Sequence, residues 1–254
     1  MDEPLDADDI EAFVVNGFVP LRAAFSREIA DECRDLLWQQ LDEKADDPTT
    51  WSRPVVRLGG QIATPFREAM TTARLHAAFD QLVGAGRWRS PPYLAGTVPV
   101  RFPHEADPGD DGWHVDGAFE RDGTYCVNVR SDGRALLMLV LLSDVGELDA
   151  PTRLRAGSHL VVPRVLEPAG QPGMTFLELA QALPPLDDRP ISFATGDAGD
   201  VYLCHPFLVH AAQRNRGAQP RFVAQPGLLF AELRDDRAPV DRAISKGLGR
   251  DLRT

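Results

Sequence analysis

With 254 residues, 43% hydrophobic and 26% charged, the chain has enough apolar mass for a core. Its formal net charge of -11 and lack of any Lys/Arg-rich run exclude the basic surface that nucleic-acid binding requires. The longest apolar run, Ala135–Leu142, is too short to cross a bilayer, and the acidic start "MDEPLDADDIEAF" is unlike a signal or transit peptide, so no membrane association is expected. Cys33, Cys126 and Cys204 show neither disulfide nor zinc-knuckle spacing, and a reducing, cytoplasmic setting is the expectation.

Two helices are predicted to open the chain. Asp8–Phe18 is amphipathic and closed by Gly17. Ser26 is placed to cap a second, in which Ile29, Cys33, Leu36, Leu37 and Leu41 recur at helical spacing. A third is expected from Thr64 as N-cap, with Pro65 at its first position and Gly84 just past its end. Leu75, Ala78, Phe79 and Leu82 would form its buried stripe.

From about residue 93 short apolar or β-branched runs alternate with turn residues: "TVPVRF", "ALLMLVLL", "TRLR", "DVYLC" and "RFVAQPGLLF". This texture predicts an antiparallel sandwich or barrel, mainly β with bracing helices (α+β). "ALLMLVLL" lacks polar alternation, so both of its faces should be covered, by sheet and by helix. No repeat or low-complexity linker interrupts the chain, and a single domain over 1–254 is expected. Residues 1–92 would be mainly helical support and 93–230 the β core. The charged, weakly patterned segment 231–254 would be surface-exposed.

The chemistry concentrates in "GWHVDGAF", residues 112–119, and in residues 196–230. Residues i and i+2 of a strand point the same way, so His114 and Asp116 can share a face. A second histidine and this carboxylate on one side of Fe(II) would leave three adjacent positions open. The later segment offers His205 and His210 at the far end of a strand, and Arg221 at the start of the next.

These segments together resemble the phytanoyl-CoA dioxygenase family of Fe(II)- and 2-oxoglutarate-dependent oxygenases. "DIEAFVVNGFVPLRAAFSREIADECRDLL" is similar to its helical opening, and "WHVDGAF" to its H-x-D motif. "LLSDVGELDAPTRLRAGSH" and "GDVYLCHPFLVHAAQRN…R" are similar to its turn and last-ligand segments. The resemblance implies a double-stranded β-helix (cupin-like jelly roll) and the iron ligands His114, Asp116 and His210. His210 is preferred to His205 because relatives place an arginine eleven residues after the distal histidine. That arginine is Arg221, implied to grip the C5 carboxylate of 2-oxoglutarate through a two-pronged charge-assisted pair.

Other roles stay open. Arg101 is a candidate for the co-substrate or for an acidic substrate. Thr152 is either a hydroxyl donor to a carboxylate or a plain β-forming residue. Trp113 and Phe119 are candidate walls of the substrate pocket, and Gly117 is read as space beside the metal. The loops 103–112, 119–134 and 164–190 are expected to shape the pocket. Two departures stand out: Ala212 replaces the small hydroxyl residue usual two positions after the distal histidine, and Ala156 replaces a usual proline. His159, His104 and His76 are expected outside the ligand set.

The implied reaction consumes dioxygen and 2-oxoglutarate, releases succinate and carbon dioxide, and oxidises a C–H bond of a small molecule. Asp116 favours hydroxylation, desaturation, ring closure or epimerisation, since halogenating relatives carry a small residue there. A ligand-binding barrel without catalysis, or a cupin-like metalloenzyme that does not use 2-oxoglutarate, are the alternatives. Substrate identity and oligomeric state are not specified by the sequence.

Overall fold

Asp6 opens the first helix through a reciprocal capping box with Asp9, and Gly17, at φ +88°, closes it. Helix α1 thus spans Ala7–Asn16 in the computed structural model, which describes residues 3–89, 91, 93–231 and 237–250. β1 (Phe18–Leu21) follows directly, and Ser26 then caps α2 (Arg27–Trp38). β2 (Val55–Leu58) is a strand inside the stretch read as helical support.

The single helix expected between Thr64 and Gly84 is in fact two, α3 (Thr64–Met70) and α4 (Ala73–Val83). Ala63, not Thr64, occupies the first N-cap. The break has a local cause. Thr72 Oγ1 accepts from the Leu75 amide and donates to the Ala24 carbonyl, so one hydroxyl caps α4 and ties it to the turn before α2. Pro65 and Gly84 keep their expected places, and the predicted stripe is fully buried.

The β core then follows as β3 (Trp88–Arg89), β4 (Val98–Arg101), β5 (Phe119–Arg121), β6 (Thr124–Val127), β7 (Leu136–Leu141) and β8 (Arg153–Arg155). After α5 (Val162–Leu166) come β9 (Met174–Thr175), α6 (Phe176–Ala182) and β10 (Ile191–Phe193). β11 (Val201–Cys204), β12 (His210–Ala211), β13 (Arg221–Ala224) and β14 (Gly227–Phe230) complete it, and α7 (Pro239–Gly247) ends the described chain.

The large sheet runs β1-β11-β7-β13-β4-β2, with β14 pairing β7 and β3, and every pairing is antiparallel. Neighbours far apart in sequence are the mark of a jelly roll. Smaller sheets run β10-β8-β12 and β5-β6-β9. β7 is covered on both faces, as its apolar run predicts: Leu136, Met138 and Val140 pack with the helices, while Leu137, Leu139 and Leu141 pack with Leu154 and Ala194 of the small-sheet side. The run 221–230 splits at Gln225–Pro226, because proline has no N–H for the ladder. Its register along β7 continues, since the Pro226 carbonyl still accepts from the Met138 amide.

The expectation of an exposed C-terminal segment is corrected. α7 is strongly amphipathic and buries Val240, Ala243 and Ile244, with Ile244 packing against Val162 and Leu166 of α5. Residues 232–236 and 251–254 of that segment lie outside the described residues. Among the described residues no helix is long and apolar enough to cross a membrane.

Candidate metal centre

Two segments distant in sequence meet as one short antiparallel bridge. The His114 amide donates to the His210 carbonyl at 3.0 Å, and the His210 amide returns a bond to the His114 carbonyl at 2.9 Å. The H-x-D segment is therefore not the regular strand expected, but an extended loop pinned at this one bridge. Its alternation survives: Val115 is buried against Phe207 and Val209, whereas its neighbours His114 and Asp116 converge with His210.

Asp116 Oδ1 lies 3.6 Å from His114 Nε2 and 3.7 Å from His210 Nε2, and one ligand atom from each of the three falls within 4.8 Å of the others. Each imidazole is oriented from behind. His114 Nδ1 bonds the Gly112 carbonyl at 2.8 Å, and His210 Nδ1 bonds the Leu208 carbonyl at 3.0 Å. A carbonyl can only accept, so each Nδ1 carries the hydrogen and each Nε2 presents a lone pair to the centre.

The charges agree with that arrangement. Burial pushes the His210 imidazolium down despite the nearby Asp116 carboxylate, favouring the neutral ligand form. Burial would raise Asp116, but its interactions with His210, Arg134 and His114 outweigh it and hold the carboxyl below the usual range. Two neutral imidazoles and one carboxylate are the donor set of a facial Fe(II) site, and the residues fit the ion.

Beside this cluster a cavity of about 150 Å³ is lined by His114, His210, Arg57, Arg101, Arg221 and Thr152, with Asp110 as its carboxylate. Arg221 and Arg101 are directly paired across β13 and β4, and both are almost wholly buried. Arg221 Nη1 donates to the Ala150 carbonyl at 2.7 Å and Nη2 to the Pro99 carbonyl at 3.4 Å. Arg101 Nη2 donates to Asp110 Oδ2 at 2.6 Å, an oxygen shared with Arg57. The Nε atoms of both Arg101 and Arg221 are buried without a hydrogen-bond partner. Burial first, and then Arg101, push the Arg221 guanidinium down, while Asp110 works the other way. Three guanidiniums against one carboxylate leave the cavity short of negative charge, which suits a dicarboxylate. Thr152 and Ala212 both line it; Ala212 brings no hydroxyl, and its carbonyl is taken by Arg153.

The other histidines lie apart from the cluster. His205 is buried with Nε2 against the Val240 carbonyl, and His159 bonds the Val14 carbonyl. His76 bonds the Met70 carbonyl, and His104 accepts from the Ala106 amide. Gly117 has a different reason from the expected space beside a metal: a Cβ there would lie 2.6 Å from Tyr125 Cβ, so the close neighbour is β6. Trp113 carries the guanidiniums of Arg153 and Arg155 over its ring at 4.8 and 4.5 Å, and Phe119 sits in β5 opposite Cys126. Among the described residues, Phe176 at the start of α6 sets its ring edge-on to the candidate ligand His114 at 5.4 Å. Phe176, Arg134 and Asp110 were not singled out in the sequence. Only their placement in the loops 103–112 (Asp110), 119–134 (Arg134) and 164–190 (Phe176), expected to shape the pocket, pointed toward the site.

A jelly roll carrying two histidines and a carboxylate beside an arginine-lined cavity has the build of the non-haem iron oxygenase class. The phytanoyl-CoA dioxygenase (PhyH) family profile matches residues 13–223, and the chain belongs to that family of Fe(II)- and 2-oxoglutarate-dependent oxygenases. No curated protein matches the sequence. Among solved structures the chain is similar in fold to HygX from Streptomyces hygroscopicus with nickel and 2-oxoglutarate bound, at 20% identity and a TM-score of 0.56, covering 91% of this chain and 89% of that one. It is similar to the epimerase SnoN in complex with Fe3+, alpha ketoglutarate and nogalamycin RO, at 18% identity and a TM-score of 0.61, covering 87% and 82%. EctD from S. alaskensis is a third such structure, at 19% identity and a TM-score of 0.55, covering 90% and 78%.

Proposed function

We propose that this chain is a hydroxylating 2-oxoglutarate-dependent non-haem iron oxygenase that oxidises a C–H bond of a small-molecule metabolite and releases succinate and carbon dioxide. The observation that carries the reading is the convergence of His114, Asp116 and His210 beside a cavity rich in buried, under-compensated arginine. When bound, Fe(II) with 2-oxoglutarate and dioxygen supplies the oxidising chemistry.

The protein's share is positioning. The Gly112 and Leu208 carbonyls fix both imidazoles with Nε2 toward the ion, and Asp116 offers Oδ1 between them. Arg221 takes the C5 carboxylate of the co-substrate, because a buried planar cation is preorganised for two parallel bonds. Arg101 and Thr152 line the same cavity and supply the polar contacts that Ala212 cannot. A carboxylate at residue 116 supports oxygen insertion over halide transfer. A small-molecule substrate is supported by neighbours solved with hygromycin B, nogalamycin RO and 5-hydroxyectoine. The single-domain reading belongs to this proposal, since residues of α1–α4 and of α7 share one apolar cluster with β7.

Aerobic protein with Fe(II), ascorbate and 2-oxoglutarate should form succinate slowly, and faster with the right member of a small-molecule panel. Loss of two charge-assisted bonds in R221A should raise the co-substrate KM about 100-fold, or about 3 kcal/mol. Absence of both succinate formation and Fe(II) binding would remove the oxygenase reading. Activity untouched in R221A would point to a metalloenzyme that does not use 2-oxoglutarate.

A further inference from the structure

We propose that Arg134 is a positioning residue that keeps Asp116 a one-oxygen ligand, an inference that rests on the metal-centre reading above. Arg134 Nη1 donates to Asp116 Oδ2 at 2.9 Å, while Oδ1 of the same carboxylate faces the two imidazole Nε2 atoms at 3.6 and 3.7 Å. The carboxylate is thereby divided: one oxygen belongs to the protein and the other to the ion. A carboxylate with both oxygens free can turn and chelate through both, closing a position that the co-substrate needs. A carboxylate with neither oxygen held loses its orientation. Arg134 removes both failures with one charge-assisted bond.

The turn that carries Arg134 is built to hold it still. Asn128 and Ser131 are fully buried. Asn128 Oδ1 accepts from the Asp132 amide, and its Nδ2 donates to Asp132 Oδ2 and to the Gln171 carbonyl. The Ser131 hydroxyl donates to the Arg134 carbonyl at 2.8 Å, and the Arg134 amide donates back to the Ser131 carbonyl at 3.1 Å. Ser131 pays for this with φ +51°, and Gly133 takes φ +82° where a Cβ would strike the Ala118 carbonyl at 2.5 Å. On the far side Gly227 of β14 leaves room for the guanidinium, whose Nε would lie 3.3 Å from a Cβ there. A tight turn, two positive-φ residues and a glycine opposite thus converge on one side chain, whose visible contact is the second oxygen of Asp116.

The test is Ni(II) binding to the metal-free full-length protein by calorimetry, with thermal melting alongside. R134Q should bind Ni(II) about 10- to 100-fold more weakly than wild type while the metal-free melting temperature holds, and R134K should recover most of the affinity. If R134Q does not fold, D132A, which loosens the turn at its exposed end without touching Asp116, should show a smaller loss in the same direction. Wild-type affinity in R134Q, or in D132A where only that variant folds, overturns the proposal and leaves the oxygenase reading standing. So does a loss matched by an equal fall in melting temperature that R134K does not repair. Failure of the wild type itself to bind Ni(II) overturns both readings together.

Discussion

Asp110 is the carboxylate on which the arginine-lined cavity turns while no anion is bound. It bridges Arg101 and Arg57, and its carboxyl lies below the usual range because the Arg101 bond and the charges of Arg101, Arg57 and Arg221 outweigh the cost of burial. On the proposed reading, an incoming dicarboxylate would meet a carboxylate already bonded to Arg101 and Arg57, beside Arg221. D110N should remove that competitor and lower the KM for 2-oxoglutarate severalfold. It should also destabilise the free protein by about 2 kcal/mol, since a buried guanidinium loses its partner, and saturating 2-oxoglutarate should restore much of the lost melting temperature. A KM that rises in D110N would mean that Asp110 aligns Arg101 for the co-substrate instead of competing with it. The resemblance to the family pointed to Arg101 and Arg221, because relatives place a polar co-substrate contact on the strand before H-x-D and an arginine eleven residues after the distal histidine. Asp110 was legible only as a member of the loop 103–112, because its partners are decided by how that loop folds back over β4.

At the scale of elements, the break between α3 and α4 shows what periodicity can and cannot read. The stripe Leu75, Ala78, Phe79, Leu82 is buried as spacing predicts, but spacing does not register that Thr72 caps a second helix. Besides capping Leu75, Thr72 bonds Ala24, 48 residues away in sequence, a tie visible only in the folded chain. T72A should cost about 1–2 kcal/mol by removing both the cap and this tie, while T72S should keep most of the stability. For a chain of this size each kcal/mol corresponds to about 2–4 °C in Tm, so thermal melting resolves the pair. A T72A protein as stable as wild type would place the cause of the break elsewhere. The same limit explains β1, four residues long and, among the described residues, paired through β11 alone, and α7, whose Asp241, Arg242 and Lys246 hid the apolar face of Val240, Ala243 and Ile244. β4, β7, β8, β11, β13 and β14 were legible as short apolar or β-branched runs, whereas β3, β5, β6, β9, β10 and β12 are too short or too polar to stand out; the strand order was not legible, because it depends on pairings between distant segments.

At the scale of the whole molecule, one buried histidine joins the parts that the sequence separates. His159 donates from Nε2 to the Val14 carbonyl of α1, stacks near His205, and lies where a Cβ on Gly17 would come within 2.5 Å of its Nδ1. His205 in turn bonds the Val240 carbonyl of α7, so the first and last helices are tied to the barrel through two imidazoles. Burial, aided by Lys246 and Arg189 and opposed by the Val14 bond, pushes His159 down to about 4. The unfolded chain binds this proton near the ordinary value of about 6.5, so between those two pH values the unfolded state holds more protons than the folded one. The stabilisation is complete above pH ~6.5 and is lost as pH falls toward 4, amounting to on the order of 3 kcal/mol. Urea unfolding followed from pH 7 to pH 4 should show this fall in the metal-free protein. H159Q, whose amide can donate to Val14 without titrating, should start less stable at pH 7 and lose less over the same range. Parallel curves for the two proteins would assign the acid sensitivity to other groups, and the imidazole would then be only a packing piece between α1 and the barrel.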